Sequence, residues 1–101
     1  MQAPLSLISD LAFDVLYTIE ECVYLEICDI LCDHEMHVDH INNGDMNVYI
    51  YFEDNWANGC LIIDRCRKEY ILEFRVDDEY CAPIIGTLEE VLATYIGLRN
   101  E

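Results

Sequence analysis

Cations are what this sequence has least of. Lys and Arg number 5 against 21 Asp and Glu, a formal net charge of −16 over 101 residues. A free-standing nucleic-acid binder neutralises phosphates with Lys and Arg, so that function is excluded. Glycine is sparse too. Gly44, Gly59, Gly86 and Gly97 stand apart and read as turns or caps, which leaves no glycine-rich loop to cradle a phosphate. No apolar run approaches the ~18 residues of a membrane span. The opening Met1-Gln2-Ala3-Pro4-Leu5 lacks a basic n-region, so no signal peptide is expected. Neither paired CxxC knuckles nor an HExxH helix occurs, and no local signature pairs a cysteine with a histidine for catalysis.

What is present begins with a core. Hydrophobic residues make up 53% of the chain, too many for a disordered acidic tail, and the length suits one domain over residues 1–101. The six cysteines sit inside apolar periodic segments, not at loops, and are expected to be buried. They read as small hydrophobes with free thiols, and with no signal peptide this implies a reducing, cytoplasmic setting.

Residues 5–35 lack Gly and Pro after Pro4 and carry apolar residues at three- and four-residue steps, the period of a helix. A single helix of that length would be roughly 45 Å long, so the pattern predicts two helices broken between Thr18 and Val23, or one that protrudes. Residues 34–45 are polar and end in Asn42-Asn43-Gly44-Asp45, a turn. Three strands are then expected: Met46 to Glu53, Cys60 to Cys66 after an Asn58-Gly59 loop, and Glu69 to Val76 after an Arg67-Lys68 turn. Such short links favour an antiparallel meander. Thr87-Leu88-Glu89-Glu90 is a capping box opening a helix over about 88–96, with Gly97 as its stop. The predicted fold is α+β: an N-terminal helix or helix pair, a three-stranded antiparallel sheet and a C-terminal helix.

Four constellations invite chemistry. Asp10, Asp14 and Glu21 fall within about 40° of one another on a helical wheel, and Asp29 and Asp33 continue at one-turn spacing. Carboxylates four residues apart advance ~6 Å along a helix axis, so such a row imitates alternate phosphates of a DNA strand, spaced ~3.4 Å. Glu53 and Asp54 at a hairpin tip and Asp77, Asp78 and Glu79 in a loop extend that surface. The plain alternative is the wet face of an amphipathic helix. Second, Cys28, Cys32, His34, His37 and His40 lie within thirteen residues of chain and are weak candidates for zinc; a polar loop containing histidines is the simpler account, and no cofactor is expected. Third, thiols flanked by carboxylates are poor nucleophiles, so no catalytic residue is assigned. Fourth, Trp56 at the hairpin tip, with Tyr49 and Tyr51 opposite Val48, Ile50 and Phe52, forms either an interface hot spot or a second buried sheet face.

A net charge of −16 exceeds the magnitude of roughly 2–8 that solubility asks of a small domain, and it draws cationic partners from a distance. In its length, extreme acidity, free cysteines and helix–meander–helix plan the chain resembles small phage-encoded anti-defence proteins, among them anti-CRISPR proteins and DNA mimics. The resemblance is one of type, without a shared motif, and assigns no individual residue. It implies a protein inhibitor, not an enzyme, that occupies the basic nucleic-acid-binding surface of a defence or DNA-processing enzyme in the host cytoplasm. An immunity or antitoxin protein capping a basic nuclease toxin has the same physics, and a zinc-binding domain is a more distant alternative. Helix, three strands and helix is also the order of double-stranded-RNA-binding domains, but the basic residues that fold lays on phosphate are missing here. Outward tyrosines leave a homodimer open.

Overall fold

The computed structural model describes Phe13 and residues 20–101, with only the backbone given for 20–23. Helix α1 (Glu20–Asp33) is followed by strands β1 (His37–Asn43), β2 (Asn47–Glu53), β3 (Asn58–Asp64), β4 (Glu69–Val76), β5 (Glu79–Tyr80) and β6 (Ile84–Gly86), then helix α2 (Leu88–Arg99). The sheet runs β1-β2-β3-β4-β5, with β6 also paired to β4, and every pairing is antiparallel.

The fold is thus α+β, but its sheet has six strands where the sequence pattern predicts three. The missing strand β1 lies inside the stretch read as a polar loop. Val38 pairs with Phe52 and Ile41 with Ile50, while the register shifts between Val38 and His40. That bulge places the two apolar residues three apart instead of two, which erases the alternation a strand is recognised by. β1 is also an edge strand with mostly exposed side chains, so little apolar burial marks it. β5 and β6, of two and three residues, are too short to show a period.

The core lies on one face of the sheet. Val48, Ile50 and Phe52 of β2, Leu61 and Ile63 of β3, and Tyr70, Leu72 and Phe74 of β4 are buried there. They pack with Tyr24, Ile27 and Leu31 of α1, Met36, and Leu88, Val91, Leu92 and Tyr95 of α2. Phe13 meets Tyr70 at 5.2 Å between ring centroids. Gly59 belongs to β3 and not to a turn: a Cβ there would stand 2.2 Å from the Glu73 carbonyl oxygen and 2.8 Å from Phe74 Cα. Only glycine lets β4 approach this closely.

Each helix end has a local cause. α1 stops in a Schellman turn, with Met36 N–H donating to the Leu31 carbonyl at 2.9 Å and Glu35 N–H to Cys32 at 2.9 Å. Glu35 occupies the left-handed position (φ 65) that glycine usually fills, and Leu31 and Met36, both fully buried, supply the accompanying apolar contact. α2 opens on the expected capping box, Thr87 and Glu90 each accepting the other's backbone N–H at 3.1 Å. It continues through Gly97 to Arg99 and is capped by Asn100, so Gly97 is helix interior and not the stop.

Two buried arginine networks fasten these parts. Arg65 donates to the carbonyls of Gly44 (2.9 Å) and Asp45 (3.2 Å), to Asn43 Oδ1 (3.3 Å) and to the Tyr24 hydroxyl, so the β1–β2 hairpin is held to α1. Arg99 donates to the His34 carbonyl (2.8 Å) and to Asp54 Oδ2 (3.1 Å), joining the C-terminal ends of both helices to the β2–β3 turn.

Candidate functional site

The strand register fixes which side chains share an end of the molecule. Glu53 pairs with Asn58, Asn58 with Arg75, and Arg75 with Tyr80, while His37 pairs with Glu53. The β2–β3 and β4–β5 turns and the start of β1 therefore lie at one end of the sheet. The end of α1 joins them because only 34–36 separate it from β1. Exposed Asp33, Glu35, Glu53, Asp77, Asp78 and Glu79 are all at this end.

The five cations are divided between the two ends. Arg65 and Arg99 are engaged in the networks above, and Arg75 donates to Asn58 Oδ1 at 3.3 Å with its guanidinium 5.5 Å from the Tyr80 ring centroid. Arg67 and Lys68 are exposed in the β3–β4 hairpin, at the opposite end, where Asp64 Oδ1 accepts the N–H groups of Cys66 and Arg67 at 3.0 Å. Asp77 and Asp78 both have positive φ (52 and 66), the geometry of a type I′ hairpin turn. With Glu53 they line one shallow depression that also touches Asn55, Trp56 and Arg75.

Among the residues expected to meet a partner, the placements differ. Asp29 and Asp33 are exposed on α1. Asp10 and Asp14 lie outside the described residues, and for Glu21 only the α1 backbone is described. Asp54, expected at an exposed tip, is instead an internal carboxylate whose side chain is 2% accessible. Its Oδ1 accepts Trp56 N–H (2.9 Å) and Ala57 N–H (2.8 Å), and its Oδ2 accepts the Tyr95 hydroxyl (2.6 Å) and Arg99. Burial drives its pKa up, but these hydrogen bonds together outweigh burial and hold it below the ordinary carboxylate value. Burial, then the bond to Asp54, raises the Tyr95 phenol. Trp56 is half-buried, its ring 5.5 Å from Phe74 and 5.4 Å from Tyr95. It packs against the core, while its half-exposed edge lines the depression with Asp77 and Asp78.

Among the described residues, no three His, Cys, Asp or Glu side chains converge as metal ligands would. Cys28 and Cys32 sit one turn apart on α1, His34 follows the helix, and His37 and His40 lie on β1; His40 stacks on Tyr51 at 4.3 Å and 14°. The five described thiols are free. Cys32 and Cys66 are exposed, which corrects the expectation that all the cysteines are interior. Among the described residues no helix is long and apolar enough to cross a membrane.

The sheet face turned away from the core holds the second feature. Directly opposed residues share a face, so His40, Tyr51, Cys60 and Glu73 form one row across β1 to β4, and His37, Glu53, Asn58, Arg75 and Tyr80 form the next. These rows line an open trough of about 820 Å³. Tyr49 and Tyr51 are half-buried on this face and stack at 6.5 Å. The sequence signalled the tyrosine pair. It gave no sign of Glu73, Asp39 or His40 beside them, because only the pairing of β1 with β2 and of β3 with β4 brings them together.

Comparison with known proteins finds no matching family model, curated sequence or solved structure.

Proposed function

We propose that this protein works by binding: its acidic end occupies a basic, nucleic-acid-binding surface of another protein, inhibiting a host defence or DNA-processing enzyme in the manner of a DNA mimic. The observation that carries this reading is a cluster of six exposed carboxylates at one end, against exposed Asp45, Glu89 and Glu90 at the other. Asp33, Glu35, Glu53, Asp77, Asp78 and Glu79 are exposed at one end, where the nearby Arg99 is bonded to buried Asp54 and Arg75 to the Asn58 amide. Five strands at ~4.8 Å spacing make that end roughly 19 Å wide.

The test is a triple charge reversal, Asp33→Lys, Glu53→Lys and Glu79→Lys. All three sites are exposed and outside the left-handed turns, and a lysine in the last turn of α1 suits the helix dipole. Wild-type protein is expected to retain a nucleic-acid-binding enzyme from host lysate at low salt, and to release it at 0.5 M NaCl or on addition of duplex DNA. The reversed protein should retain none of it. Equal retention by both proteins at every salt concentration would discard the electrostatic reading.

A further inference from the structure

The trough on the outer sheet face has the chemistry of a guanidinium receptor. Its rows cross β1 to β5, so it is roughly 19 Å long at ~4.8 Å per strand, enough for about six residues of extended chain at ~3.3 Å each. An α-helix with its side chains is ~10 Å across and would overfill about 820 Å³ along that length. The lining combines π-faces with carboxylates: Tyr51 stacked under His40, Tyr80 at 81% exposure, and Asp39, Glu53 and Glu73, all exposed.

One guanidinium already lies on a π-face here. Arg75 lies 5.5 Å from the Tyr80 ring and donates to Asn58, which leaves Glu53 and Glu73 without that cation, while Asp39 Oδ2 already meets His40 Nδ1 at 2.9 Å. Cys60, on the floor, is buried, and burial followed by the charge on Glu73 pushes its thiol pKa up to about 11. Cys60 therefore stays neutral.

We propose that the trough binds an extended, arginine-bearing segment of the basic partner, with a guanidinium stacked on Tyr51 and bonded in fork fashion by Glu73. Arginine fits better than lysine because its planar group both stacks and bonds two oxygens at once. The inference rests on the reading of the partner as a basic protein surface, and it adds a specific docking groove to the diffuse attraction of the acidic end.

The experiment titrates the full chain with a hexa-arginine peptide, and with hexalysine in parallel, by calorimetry and by amide chemical shifts. Two variants are compared with the wild type. One is Tyr51→Ser with Glu73→Gln in the trough; the other is Asp33→Asn, Asp77→Asn and Asp78→Asn at the acidic end, outside the trough. Thermal melts confirm that each is folded, and Glu73→Gln alone serves if the pair is not. The proposal expects shifts centred on Tyr51, Cys60 and Glu73, tighter binding of arginine than lysine, and about a tenfold loss in the trough variant. The end variant should lose less. Undiminished binding by the trough variant, together with a loss in the end variant, overturns the trough assignment and leaves the proposed function standing. Weakening of peptide binding as protein concentration rises, with dimers in sedimentation, would mean a second copy fills the trough and likewise overturns it. Absence of binding to the wild type overturns it as well; the lysate experiment then judges the broader reading independently.

Discussion

Asp54 shows how a residue's chemistry is set by what surrounds it. One carboxylate of the 21 acids accepts four hydrogen bonds, and so the β2–β3 turn, α2 and, through Arg99, the end of α1 become one unit. Asp54→Asn keeps the shape but leaves Arg99 without its counter-charge. A half-buried cation losing its partner costs about 2–3 kcal/mol, which in a domain of this size corresponds to a melting temperature roughly 10–20 °C lower. The pH dependence has a definite sign. The folded pKa of Asp54 is depressed, so its contribution is fully present above the unfolded value of about 3.9 and fades as pH falls through the lower folded value. Melting temperatures of wild type and Asp54→Asn should therefore differ most above pH 5 and converge toward pH 2. A gap that stays constant over that range would show that ionisation of Asp54 contributes nothing.

At the scale of elements, glycine sits where it is not needed and is missing where it would help. Gly97 lies inside α2, and a Cβ there would meet nothing within 4 Å, so Gly97→Ala should stabilise by about 0.5–1 kcal/mol through helix propensity. Glu35 holds the left-handed Schellman position (φ 65), and Glu35→Gly should contribute about 1 kcal/mol by relieving the Cβ conflict. Both sites adjoin the Arg99–His34 link between the helix ends, so chemical denaturation of the double variant, compared with the sum of the single changes, reads their coupling. Gly59 behaves in the opposite way. Gly59→Ala has to move β4 backbone that lies 2.2 Å from the new Cβ, and a loss of about 2–3 kcal/mol, read from the same denaturation curves, is expected.

The whole molecule carries its charge as stored repulsion. With a net charge of −16 and few exposed ion pairs to lose, such as Arg67–Glu69 at 3.9 Å, screening relieves more repulsion than attraction. Raising NaCl from 0.02 to 0.5 M shortens the Debye length from over ~10 Å to a few ångströms, and the melting temperature should rise by several degrees. A fall would mean that favourable pairs outweigh the repulsion. The same salt should weaken partner binding, so stability and affinity are expected to move in opposite directions across one titration.

Composition and local pattern alone determined the acidity, the α+β class, the capping box at Thr87 and Glu90, the strand Glu69 to Val76 and the alternation that sets Val48, Ile50 and Phe52 against Tyr49 and Tyr51. Each depends on neighbours a few residues away or on totals that no fold alters. Tertiary structure decided the rest. It inserted a bulge that hid β1, drew Asp54 and Trp56 inward to meet Tyr95 from a distant helix, and lined up Tyr51, Cys60 and Glu73 across three strands. Those outcomes depend on strand register and on contacts across tens of residues, and charge or hydropathy read along the chain carries no record of either.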